Sequence, residues 1–220
     1  TLYVGQDDYT KLLIHGGGVD TNGSGTQTFT DASPSGHAVT AYGNAQWDDT
    51  QSKFASTSIK FDGTGDYLSV ADSADWDFGS GDFTLDAWIR LANFDTYHMI
   101  MCQDNNSGQL AWHFRVEQGA GYSWNSGDLI FRYSSDGTEN QTDLTSATSG
   151  MVINTWYHVA FVRSSNTYAF YVNGVQKGTG SITATFHQST TPVTIGARGG
   201  PDLYHNGYMG EIRISKGIAR

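Results

Sequence analysis

The chain is poor in residues that staple, break or bridge. It has one cysteine, Cys102, in 220 residues. That excludes an intrachain disulfide and a thiolate zinc cage. Cys102 lies in the apolar run Met99-Ile100-Met101-Cys102-Gln103, where a buried, inert thiol is expected. Only three prolines occur, Pro34, Pro192 and Pro201, all in turn-like contexts. Glutamate is scarce: Glu117, Glu139 and Glu211 stand against 19 Asp. Basic residues are scarce too, 12 Lys and Arg against 22 acids, for a net charge of -10. Such a chain repels phosphate backbones and anionic membrane surfaces, so it is read as binding no nucleic acid. No apolar run approaches the ~18 residues of a membrane span, so no membrane insertion is expected. No signal peptide is visible. The chain starts at Thr1 and is read as a mature or excised module of something longer. No stretch sustains a 3.6-residue period with caps, and no repeat of the solenoid or propeller kind is present.

What is present suits a β-protein. Apolar residues make up 38% of the chain, and there are 27 Gly, enough for a full core. Aromatics are abundant at 13%, while charged residues, at 15%, fall below the roughly 25% of ordinary globular chains. Ser and Thr fill that gap, a β-surface composition. The Asp-Gly pairs Asp62-Gly63 and Asp136-Gly137 fit turns, and an Asp-rich surface also suits calcium, which prefers oxygen ligands.

Period two is common. Residues 110–117 alternate apolar and polar, which predicts a half-buried strand. Residues 83–90 alternate as well, with Trp88 on the otherwise polar face. Residues 156–162 are apolar on both faces and read as a central strand covered twice. Asn173-Gly174 between 168–172 and 175–177 is a strong hairpin signal, because it supplies both positive φ angles of a type I′ turn. Asp62-Gly63-Thr64-Gly65-Asp66 is a second turn. The economical architecture is an all-β, two-sheet antiparallel sandwich.

Eight segments in order resemble the laminin G-like, concanavalin A-like jelly roll. They are Leu12-Leu13-Ile14-His15, Phe29-Thr30-Asp31-Ala32-Ser33-Pro34-Ser35-Gly36-His37 and Ser58-Ile59-Lys60-Phe61-Asp62-Gly63. Next come Asp82-Phe83-Thr84-Leu85-Asp86-Ala87-Trp88-Ile89 and Thr155-Trp156-Tyr157-His158-Val159-Ala160-Phe161-Val162-Arg163. The last three are Tyr171-Val172-Asn173-Gly174-Val175, Thr194-Ile195-Gly196-Ala197 and Gly210-Glu211-Ile212-Arg213-Ile214-Ser215. The resemblance covers nearly the whole chain and implies one jelly-roll domain over residues 1–220, with 1–10 as a lead-in. It is closest to copies in phage tail or virion proteins and bacterial surface proteins, where the module serves attachment or assembly. It specifies the fold, not an activity.

Catalysis finds little support. Glycoside cleavage needs two carboxylates at fixed separation, and the three Glu are far apart in sequence. Asp75-Trp76-Asp77 is followed by Gly79, Ser80 and Gly81 and reads as a loop. The Gln-x-His strand of jelly-roll lyases is absent, as is a Gly-x-Ser-x-Gly elbow. The chain is therefore read as no enzyme.

Resemblance to the pentraxin branch implies where calcium would bind. Asp104 and Asn105 follow one strand, and Asp202 lies in a later loop; with waters these would offer a lean set of oxygens. The alternative is that Asp104 and Asn105 cap a turn. A second location is Asp31 with carbonyls near Ser35-Gly36, beside Glu211. Sugar recognition would rest on loop aromatics and amides: Tyr122, Trp124 and Asn125 in one loop, Tyr204, Asn206 and Tyr208 in another, and Tyr97 in a third. Trp47, Trp76, Trp88, Trp112 and Trp156 are assigned to the core or the sheet faces. The reading is a non-enzymatic, lectin-like module on an extracellular or virion surface. It would bind a glycan or cell-surface polysaccharide, with calcium as its candidate cofactor. The alternative is a structural virion, tail or adhesin domain acting through a homo-oligomer or its parent protein.

Overall fold

The computed structural model describes residues 7–21, 27–119, 127–138, 141–200 and 202–220. Among the described residues the alternating segments form fifteen strands. They are β1 (Thr10–Ile14), β2 (Val39–Tyr42), β3 (Gln46–Asp48), β4 (Ser58–Asp62), β5 (Tyr67–Val70), β6 (Phe83–Leu91), β7 (His98–Gln103) and β8 (Trp112–Val116). There follow β9 (Leu129–Ser134), β10 (Gln141–Thr145), β11 (Trp156–Ser164), β12 (Thr167–Val172), β13 (Val175–Ser181), β14 (Val193–Ile195) and β15 (Asn206–Lys216). One sheet runs β13-β12-β11-β6-β15-β4-β3, with β1 also paired to β15; the other runs β10-β9-β8-β7-β14-β5-β2. Neighbouring strands within each sheet run antiparallel. This is the expected jelly-roll sandwich. No described helix is long and apolar enough to cross a membrane.

The inner faces of the two sheets meet in an aromatic core. Phe131 of β9 stacks on Phe161 of β11 at 3.8 Å between ring centroids, so one ring pair joins the two sheets. Phe83, Phe114 and Phe170 are fully buried around them. The Asn173-Gly174 turn has φ values of 49° and 75° and closes the β12–β13 hairpin as expected. The turn over residues 62–66 does not close a hairpin. It carries the chain from β4 in one sheet to β5 in the other.

Strand β8 differs from expectation. Its alternation predicts one solvated face, yet His113, Arg115 and the following Glu117 are as buried as Trp112 and Phe114. The polar face is roofed: the Tyr97 ring lies over the Arg115 guanidinium at 5.4 Å. Some of the polar groups beneath the roof pair with one another. Arg115 donates to His113 Nε2 at 2.6 Å, and Arg132 grips Asp143 with Nε and Nη2.

Strand β15 shapes the other exterior face. Its register against β6 slips between Gly210 and Arg213. Within that bulge Glu211 takes a left-handed φ of 48°, uncommon for a residue with a side chain. Bulges re-aim side chains, and here the outcome is that Glu211 reaches His15 and the start of the loop after β1.

Candidate functional site

The outer face of the larger sheet carries the candidate site. Strands alternate, so Thr84, Asp86, Trp88 and Arg90 of β6 point away from the core, while Leu85, Ala87 and Ile89 point into it. Register then places His158 of β11 beside Trp88, and Trp156 beside Arg90. On the other flank, Gly210 of β15 lies opposite Trp88 and Arg213 opposite Asp86. Gly210 presents no side chain, and a Cβ placed there would meet nothing within 4 Å. The result is a cleft of about 600 Å³ lined by Leu13, His15, Phe54, Asp86, Trp88, His158, Glu211 and Arg213.

Two aromatic rings form one wall. Phe54, 64% exposed, stands edge-on to Trp88 at 5.0 Å and 87°. Polar groups form the floor, each fixed by a neighbour. Asp86 is held by Arg213 through Nε at 2.9 Å and Nη2 at 3.2 Å, and His158 Nε2 lies 3.2 Å from the same carboxylate. Glu211 lies 2.5 Å from His15 Nδ1 and accepts the Gly16 N–H at 3.2 Å. Two histidine–carboxylate couples thus face one cleft, pre-set as hydrogen-bonding groups beside a stacking surface.

The residues singled out from the sequence are dispersed. Tyr122, Trp124 and Asn125 lie outside the described residues. Tyr97 is spent on Arg115 of the smaller sheet. Tyr204 also belongs to that side, close enough to Tyr67 to raise its pKa through their mutual charge, after burial and Tyr42. Asn206 opens β15 opposite Asp62 of β4, and its backbone N–H donates to His98 Nδ1 of β7 at 3.2 Å. Tyr208 faces the larger sheet's exterior, with the Arg90 guanidinium 5.7 Å above its ring.

The carboxylates of the expected calcium sets already have protein partners. The 104–106 and 198–202 loops do touch, since a Cβ on Gly199 would lie 2.5 Å from the Asp104 carbonyl oxygen. Asp202, however, is clasped by Arg198 through Nε and Nη2, so a guanidinium already occupies the place of the metal charge. Asp104 Oδ1 accepts the Asn106 N–H and Asn105 Oδ1 accepts the Ser107 N–H, the turn-capping alternative. Asp31 accepts from the N–H groups of Leu13, Ser33 and His37 and from the Ser33 hydroxyl. Glu211 is committed to His15. Among the described residues no three His, Cys, Asp or Glu side chains converge as a metal site. Calcium added after chelation is expected to leave the melting temperature unchanged; a rise of several degrees would show that Asp202 can exchange Arg198 for the ion.

Asp86, His15, His158 and Phe54 were not evident as site residues from sequence, and Glu211 was singled out only as a candidate calcium ligand. The signal for one wall was present: Trp88 breaks the polar face of its strand. Phe54 stands as a lone aromatic in the polar run 48–56. The convergence of β1, β6, β11 and β15 needs the sheet order, which no local pattern encodes.

Comparison with solved structures agrees on the fold. Domain 4 of AbnA, a GH43 extracellular arabinanase from Geobacillus stearothermophilus solved with arabinotriose, superimposes with a TM-score of 0.66 at 17% identity. That match covers 97% of this chain and 96% of the domain. The binding domain of Paraclostridial Mosquitocidal Protein 1 matches with a TM-score of 0.66 at 14% identity, over 96% of this chain and 50% of that one. The receptor binding domain of botulinum neurotoxin D matches with the same score, identity and coverage. The chain therefore spans about half the length of these toxin domains. No curated protein matches it in sequence. A family model matches residues 62–218, from the turn after β4 to the end of β15, and on that match the chain belongs to the concanavalin A-like lectin/glucanases superfamily, as a Laminin_G_3 domain.

Proposed function

We propose that the chain is a non-enzymatic carbohydrate-recognition domain that takes a glycan in the cleft on the outer face of its larger sheet, as part of an extracellular or virion-surface protein. One observation carries the reading: an exposed aromatic wall, Phe54 on Trp88, faces fixed hydrogen-bonding couples across a cleft of sugar size. Apolar sugar faces stack on such rings, while carboxylate and imidazole groups take the hydroxyls. A small number of placed polar groups in a partly apolar cleft is the general form of a ligand site. The arabinotriose-bound arabinanase domain of the same fold is consistent with this reading.

Two carboxylates in one cleft invite comparison with glycosidases. Here Asp86 accepts two hydrogen bonds from Arg213 and neighbours His158, which suits an anchoring role. Prolonged incubation with a bound polysaccharide is expected to release no new reducing ends.

Glycan retention in affinity electrophoresis tests the proposal. Trp88→Ala is expected to weaken binding by about 2 kcal/mol or more, roughly thirtyfold, the scale of a lost aromatic anchor. Gly210→Leu projects into the open space beside Trp88 and is expected to block retention with little change in melting temperature. Full retention by both variants, or a blank glycan array with the folded wild type, would discard the cleft and favour an assembly role.

A further inference from the structure

The cleft is not electrically uniform, and its asymmetry bears on the class of sugar. This inference rests on the glycan reading. At Trp88 and His158 the cleft adjoins a recess of about 370 Å³ lined by Lys53, Trp88, Trp156, His158 and Asn173. No carboxylate lines it, although the chain carries 22 acids against 12 bases. Two indoles, one imidazole, one amide and one ammonium make up its wall.

Most cations outside this recess are ion-paired among the described residues. Lys60, Arg132, Arg198, Arg213 and Arg220 are each paired with an aspartate. Lys53 and Arg90 are in no ion pair among the described residues. Both rest on aromatic rings instead. Lys53 Nζ lies 4.7 Å from the Trp88 ring and 5.8 Å from Phe54, and Arg90 lies over Tyr208, in register with Trp156. An ammonium held on an indole face keeps its hydrogen-bond donors directed outward. Asn173 is also oriented: its Oδ1 accepts the His158 N–H at 2.9 Å, which leaves Nδ2 as a donor.

We infer that this recess is a subsite for an acidic sugar. A sugar ring stacks between the indoles, its carboxylate or sulfate ester takes a charge-assisted hydrogen bond from Lys53, and Arg90 adds positive potential from the next register position. Asn173 Nδ2 serves a ring hydroxyl. Glu211 and Asp86 line the main cleft and not this recess, so the main cleft favours hydroxyl-bearing neutral sugar and repels a second acid. The cleft therefore suits a glycan whose acidic unit is placed at one end of the bound segment.

Titration calorimetry with three oligosaccharide sets tests the inference: oligogalacturonides for the carboxylate, carrageenan oligosaccharides for the sulfate ester, and neutral arabino- and cello-oligosaccharides. At least one acidic set is expected to bind about tenfold tighter than the neutral ones, with a preference that shrinks at high salt. Which acidic set wins distinguishes carboxylate from sulfate. Lys53→Gln is expected to bring the acidic-to-neutral affinity ratio close to one, and Lys53→Arg to retain it. Neutral sugars binding as well as acidic ones, with loss in Trp88→Ala, would overturn the acidic subsite and leave the glycan reading standing. Absence of binding to every set would overturn both.

Discussion

Acidification from about pH 7 to pH 5 is expected to lower the melting temperature by roughly 10 °C or more. The cause is three histidines buried in neutral form: His98, His113 and His205. Burial presses the His98 imidazole down to about 4, partly offset by the Asn93 backbone and by Asp95. Burial likewise holds His113 well below the usual histidine value, and Arg115, Arg132 and Arg198 push it further. His205 is held well below by burial and by His98, whose ring lies 5.4 Å away. Each folded value is depressed, so each neutral ring contributes stability above the unfolded value near 6.5 and loses it as pH falls. The unfolded chain takes up protons that the fold refuses, at about 1.4 kcal/mol per pH unit for each ring. For His98 alone, a fall from 6.5 to about 4 corresponds to about 3 kcal/mol.

Two carboxyls act in the opposite sense. Burial raises Asp66 and Glu117, so they stabilise the fold at low pH and cost stability as pH rises through their folded values. Their opposing slope starts at the ordinary carboxyl range near pH 4 and runs up to their raised folded values, so it subtracts from the histidine loss wherever the two ranges overlap. A domain of this size loses about 2–4 °C per kcal/mol, and melting curves at closely spaced pH values read the slope directly. His205→Phe is expected to flatten it by about one third. A melting temperature constant from pH 7 to 5 would mean that these rings are not buried neutral in solution.

Replacement of Arg163 is expected to cost about 3 kcal/mol or more, the largest effect of any polar substitution considered. Arg163 is fully buried near the end of β11, on the face that points into the core. Its guanidinium donates to the carbonyls of Ser165, Gly79, Ala184 and Ile182, and lies 5.2 Å from the Phe186 ring. One side chain thereby closes the β11–β12 turn, the loop before β6 and the segment after β13. Without it several carbonyls lose their donor inside the protein, and each such loss costs about 1–3 kcal/mol. Lysine offers one compact charge in place of a planar fork and cannot serve all four. Arg163→Lys is therefore expected to lose most of the same stability, and Arg163→Met to do no better although it fills the volume. Urea midpoints with an unchanged slope are the measurement. A Met variant as stable as wild type would show that the space, not the hydrogen bonds, is what the position requires.

Arg163 also shows how far local pattern reaches. Its strand was legible because residues 156–162 form a short run that is apolar on both faces. That the arginine would be buried was not, since its acceptors come from residues up to 84 positions away. The same division holds at the cleft. Trp88 breaks a polar alternation that any strand template detects, so an aromatic on the exterior face was evident. Lys53 and Phe54 sit in no regular element, and only the return of that loop over β6 places them on Trp88.

From the chain alone came what short-range chemistry controls. Alternation set the strands, Asn173-Gly174 set a hairpin, the scarcity of cysteine excluded staples, and the ordered segments indicated the jelly roll. Tertiary structure decided which of the many Asp, His and aromatic residues meet. The β15 bulge turned Glu211 toward His15, a guanidinium took the oxygens of Asp202, and β6 brought Trp88 between Gly210 and His158. The physical reason is one of range: backbone preference acts over a few residues, whereas a site is assembled by sheet order across hundreds.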